Sequence, residues 1–87
     1  MSEDSQDHLN LSLRYFAVLR EQVGCDSEKC RTSAATPDEL YVELKAEKGF
    51  ALEQDVLRVA VNGDFVSFDT SLRDGDEVVF IPPVAGG

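Results

Sequence analysis

At 87 residues the chain is the size of one domain. With 43% hydrophobic and 29% charged residues it has the balance of a soluble globular protein, and no run approaches the roughly 18 apolar residues of a membrane span. Seventeen acidic side chains against eight basic ones, a net charge of −9, argue against nucleic acid or an anionic membrane as partner; they are compatible with a basic protein partner or with solubility alone.

Residues 1–8, "MSEDSQDH", read as a disordered acidic tail holding the single histidine, His8. The stretch has neither the basic region nor the apolar core of a signal peptide, so the expected location is cytoplasmic. From Leu9 the pattern has period two: Leu9, Leu11, Leu13, Tyr15, Ala17 and Leu19 share one side, and Asn10, Ser12 and Arg14 the other. That predicts a half-buried strand running through Leu19, with Phe16 and Val18 as apolar side chains on its polar side. Gly24 marks a turn, and residues 27–33 form a weak second strand. "TPDE" then opens a helix: Thr36 caps it, Pro37 suits its first position, and Glu39 completes a capping box. Leu40 and Leu44 make the helix's apolar stripe, Glu43, Lys45, Glu47 and Lys48 mostly face water, and Gly49 stops it.

"VLRVAVNGDFVSFD" reads as two strands joined by a tight hairpin at Asn62-Gly63. Val66 and Phe68 fall on one face of the second strand, and Phe65 joins Ser67 and Asp69 on the polar one. After a turn at Asp74-Gly75, the unbroken apolar run "EVVFI" suits a central strand, and Pro82-Pro83 ends it by withholding ladder donors. The order strand, strand, helix, strand, short strand, strand predicts an α+β domain over residues 9–83: a mixed sheet with one principal helix packed across it.

The body offers little chemistry. With no histidine beyond the tail, Ser-His and Cys-His arrangements are excluded. "DGDE", Asp74 to Glu77, is a turn rather than a metal loop, and the isolated glycines cradle no phosphate, so no metal site is expected. Cys25 and Cys30 lack the spacing of a redox or zinc motif. Five positions apart on a strand they would face opposite ways, which predicts one buried and one exposed thiol and no disulfide between them.

The ending is different. Pro82-Pro83 stiffens the exit from the sheet, and residues 84–87, "VAGG", span at most about 13–14 Å when extended. Val84 and Ala85 can make modest apolar contacts, whereas Gly86 and Gly87 carry no side chain. Such a segment can thread a narrow channel and deliver its terminal carboxylate. Converted to an acyl-adenylate, that carboxylate gains a leaving group that a sulfur nucleophile can displace.

"YFAVLRE" with Gly24, "AVNG", "VSFD" and above all "LRDGDEVVFIPPVAGG" carry a resemblance over residues 10–87. The chain resembles the family of small, sulfur-carrying molybdopterin synthase subunits, within the ubiquitin-like β-grasp group. The resemblance implies a β-grasp fold and a sulfur donor that is not an enzyme on its own. It implies that an E1-like adenylating enzyme uses ATP to activate Gly87 and that a surfurtransferase system then leaves a thiocarboxylate there. It further implies that Pro82, Pro83, Val84, Ala85 and Gly86 thread into a large synthase subunit, within a heterotetramer, where sulfur passes to a cyclic pyranopterin precursor. No permanently bound cofactor is implied. By position, the family's apolar partner surface falls on Phe16, Phe65 and Ile81. Two other uses of the same ending are a thiamine-pathway sulfur carrier and a ubiquitin-like modifier joined to lysines through Gly87. An interaction domain with an inert tail is the remaining reading.

Overall fold

The computed structural model describes residues 8–83, so the expectations placed on residues 1–7 and on Val84, Ala85, Gly86 and Gly87 lie outside the described residues. In chain order the elements are β1 (Leu9–Tyr15), α1 (Ala17–Val23), β2 (Ser27–Thr32), α2 (Pro37–Lys48), a single 3-10 turn (Gln54–Val56), β3 (Arg58–Val61), β4 (Asp64–Val66) and β5 (Glu77–Ile81). The five strands form one mixed sheet in the order β2-β1-β5-β3-β4. β1 and β5 run parallel, and the other neighbours are antiparallel. This is the α+β architecture that the sequence predicts, with the last strand at its centre.

One strand ends sooner than its pattern suggests. The predicted continuation through Leu19 is instead the short helix α1, entered at Ala17 with a φ of 53°. A strand period and a helical period both return Leu19 to the core side after Tyr15, so alternation could not separate them. Leu19 is fully buried and Val23, four residues on, packs on the core, which is the helical spacing. Gly24 ends the helix at φ 93°, its N–H donating to the Arg20 carbonyl at 2.9 Å.

Alternate strand positions divide the sheet into two faces. Leu11, Leu13 and Tyr15 of β1 stand beside Val78 and Phe80 of β5 and Val59 of β3, and all six are buried. α2 closes this inner face with Leu40, Tyr41 and Leu44. Tyr41 stacks on Phe50 at 5.7 Å and meets Phe80 at 5.2 Å, a geometry that adds to the area these rings bury. The helix start follows the predicted scheme with one change. Thr36 Oγ1 accepts from the Glu39 N–H at 3.3 Å, but Glu39 Oε1 accepts from the N–H of Ala35 rather than from that of the cap itself. The polar side of α2 mostly faces water, as predicted, and makes contacts of its own. Glu43 accepts from the buried Thr32 hydroxyl, Lys45 pairs with Glu53 at 2.8 Å, and Lys48 pairs with Glu28 at 2.9 Å.

The hairpin at Asn62-Gly63 is present, with φ of 54° and 91° at its two central residues. The cysteines depart from expectation. Cys25 lies in the turn after α1 rather than on a strand, Cys30 is on the inner face of the edge strand β2, and both are free and half-buried. An edge strand is covered from one side only, so its inward thiol is shielded incompletely.

Candidate functional site

Because β1 and β5 are parallel and Tyr15 is level with Phe80, both strands finish at the same end of the sheet. β1 gives way to Phe16, the N-cap of α1, and β5 gives way to Pro82. Proline has no N–H, so the ladder cannot continue past Ile81. Pro82 is buried and Pro83 is exposed, so the first proline roots the exit and the second leaves the surface.

Beside this exit lies an open, largely apolar groove of about 510 Å³ lined by Phe16, Ala17, Val18, Glu21, Ile81, Pro82 and Pro83. One wall is the end of β5; the other is the first turn of α1. The positive φ at Ala17 makes this geometry, because it turns the chain sharply enough that Phe16 and Val18 stay 41% and 39% exposed while Leu19 enters the core. A non-glycine residue in this region carries a backbone cost of about 1–2 kcal/mol.

The sheet's outer face, opposite α2, extends from this groove. Phe65 on β4 is paired with Ala60, and Ala60 with Val79. In the next row Arg58 is paired with Ile81, with Phe16 just beyond the end of β1. Ala60 and Val79 are buried but stand apart from the main core cluster, and Phe65 remains 66% exposed. The unbroken apolar character of "EVVFI" therefore has a different origin from a helix on each face. Its inward residues fill the core, and its outward ones floor an exposed apolar strip.

Phe16, Ile81, Pro82 and Pro83 thus meet around one groove, whereas Phe65 stands across the sheet, three strand spacings or roughly 14 Å from the β1 side of the groove and two spacings from β5. Two features escape a reading by alternation. The α1 wall of the groove was hidden inside the predicted strand, though the Leu19–Val23 spacing before Gly24 is the signal that marks it. The second is a pair of arginines: the Arg14 guanidinium lies 5.9 Å from the Phe16 ring centre, and that of Arg58 lies 5.8 Å from the Phe65 ring centre. Both distances are within cation–π range.

Away from this face, Tyr15 donates to Glu28 Oε2 at 2.6 Å, and Lys48 contacts the same oxygen. The tyrosine hydrogen bond, and then that from Lys48, hold the Glu28 carboxyl below its usual range, while burial and then the Glu28 bond push the Tyr15 phenol upward. Burial, reinforced by Glu43 and Glu47, raises the Cys30 thiol, the opposite of an activated nucleophile. Among the described residues no group of three or more His, Cys, Asp and Glu side chains is placed to hold a metal, and no helix is long and apolar enough to cross a membrane.

Residues 13–87 match the ThiS family. The chain is 41% identical over 80 residues to the molybdopterin synthase sulfur carrier subunit of Escherichia coli strain K12, covering 88% of this chain and 99% of that protein. It is 37% identical over 92 residues to small archaeal modifier protein 3 of Haloferax volcanii, covering 91% and 100% of the two chains. A solved complex of subunits 1 and 2 of the molybdopterin-converting factor from Helicobacter pylori 26695 contains a similar chain. There the TM-score is 0.62 at 28% identity, covering 91% of this chain and 100% of that one.

Proposed function

This chain belongs to the ThiS family, and from that premise we propose that it is the sulfur-carrier subunit of a molybdopterin synthase. The observation that carries this reading is the exit geometry. Pro82 and Pro83 leave the central strand beside an exposed apolar groove, with "VAGG" following them in the sequence, and among the described residues no group of His, Cys, Asp and Glu is placed to hold a metal. The resemblance to a chain solved with its second subunit supports a large-subunit partner for that surface.

In this reading Gly87 is the reacting residue. An E1-like enzyme joins its carboxylate to AMP, using ATP and releasing pyrophosphate. A persulfide on a sulfurtransferase then attacks the carbonyl carbon, AMP departs with the electrons of the acyl–oxygen bond, and a thiol cleaves the resulting acyl disulfide, leaving the sulfurtransferase sulfur in a disulfide. The product is a thiocarboxylate. Pro82 and Pro83 set the direction of the tail, Val84 and Ala85 line it inside the large subunit, and Gly86 and Gly87 keep it narrow. Phe16, Ile81 and Phe65 hold the two subunits together while the sulfur is transferred to a cyclic pyranopterin precursor. The carrier itself holds no cofactor.

Incubation with ATP, an E1-like enzyme and a sulfur source, followed by intact mass measurement, tests the reading. The expected product is heavier by the difference between sulfur and oxygen, and the gain maps to Gly87. Deleting Gly87, or adding one residue after it, is expected to abolish the gain while leaving the thermal melt unchanged. Sulfur transfer retained by either variant would sink the mechanism. The likeness to an archaeal modifier protein favours a second use of the same activated end. Isopeptide conjugates to lysines, formed in place of the thiocarboxylate, would select it.

A further inference from the structure

The charge of this molecule is divided between its faces. Among the strand residues of the outer face, Arg14, Lys29, Arg31 and Arg58 stand against the single carboxylate of Glu77. The chain as a whole carries −9. Two of the four basic residues, Arg14 and Arg58, border the exposed apolar strip, whereas Lys29 and Arg31 lie toward the β2 edge. The net charge points to a basic partner, but the face that would meet the partner has the opposite sign.

The two arginines nearest the apolar strip are also held in place. Arg14 lies over the Phe16 ring and Arg58 over the Phe65 ring, with 5.9 and 5.8 Å between guanidinium carbon and ring centre. A cation–π contact of this kind restrains the side chain without using its N–H groups, which remain able to grip a carboxylate in a two-point fork. Arg14 has only a loose contact with Glu77, at 3.8 Å, between side chains that are 49% and 43% exposed. Among the described residues no carboxylate pairs with Arg58. The pairs stand on either side of the strip floored by Ala60, Val79 and Ile81. That is the layout of an interface in which charged groups fix register around an apolar contact.

We propose that the Arg14–Phe16 and Arg58–Phe65 pairs are two carboxylate clamps, and that the large synthase subunit meets them with acidic side chains set around an apolar centre. This rests on the sulfur-carrier reading and specifies the chemistry of its partner. Attraction to the clamps then works locally against the repulsion expected between an acidic partner surface and the acidic remainder of this chain.

The test is calorimetric titration of the intact chain against the purified large synthase subunit of the same organism. Arg14→Glu and Arg58→Glu are each expected to weaken binding about tenfold or more. Arg14→Lys and Arg58→Lys, which keep the charge but lose the planar fork, fall between these and wild type. Lys45→Glu, on α2 and away from the face, leaves affinity unchanged. Raising the salt concentration weakens wild type more than either reversal variant. Thermal melts establish that all five variants are folded. If the reversal variants bind as tightly as wild type, or tighter as the net charge alone would dictate, the clamps are overturned while the sulfur-carrier reading stands. If wild type does not bind the large subunit, that reading falls and the clamps fall with it.

Discussion

Glu28 joins three elements through one carboxylate: the Tyr15 hydroxyl at the end of β1, its own strand β2, and Lys48 in the last turn of α2. Both partners favour the charged form, so the folded protein holds the proton less tightly than the unfolded chain does. The stability this provides is complete above the ordinary carboxylate value and is lost as pH falls through the lower, folded-state value. Glu28→Gln keeps an acceptor for Tyr15 but removes the charge. It is expected to cost about 1 kcal/mol at pH 7, the scale of a partly solvated charged hydrogen bond. In strongly acidic buffer, where wild type is also neutral at this position, the gap closes. Urea unfolding of both proteins at the two pH values measures it, and a gap that persists in acid would mean that packing rather than charge is responsible.

Among the elements, α2 is the one whose limits are written most plainly. Its cap, its proline and its stop glycine occupy Thr36, Pro37 and Gly49, and the helix runs between them. Thr36→Ala removes the acceptor for the Glu39 N–H and is expected to cost about 1 kcal/mol, lowering Tm by about 4–8 °C. A scanning calorimeter reads this directly. α1 was not legible by the same means, because its start has no side-chain cap and Ala17 enters it with a left-handed backbone. Local signals mark an element when local chemistry ends it; this one is shaped by the burial of Leu19 and Val23. β2 shows a related limit. Its edge position leaves Lys29 and Arg31 exposed and its inward Glu28 and Cys30 only half-buried, so its alternation is faint.

The whole molecule divides its labour between two faces. The inner one is a conventional core under α2, and the outer one remains available for a partner. Phe65 exemplifies the outer face: its place off the apolar side was legible from the hairpin register, but its companion Arg58 was not. Cross-strand neighbours depend on pairings that the chain order alone does not state. Phe65→Asp is expected to change folding stability by under about 0.5 kcal/mol, because the ring is already in solvent. Its complex with the large subunit is expected to weaken by about 2 kcal/mol or more, the mark of an interface anchor. Urea unfolding and calorimetric titration give the two numbers, and a severely destabilised variant would place Phe65 in the core instead. The position of β5 has a mechanical consequence as well. In the proposed reading, a tail drawn out of a partner's channel pulls on a strand bonded on both sides, to β1 and to β3. A pull along the strand loads both ladders in shear. At a sheet edge a single ladder would carry the whole load. A tail rooted on β5 thus shares its load between two neighbours.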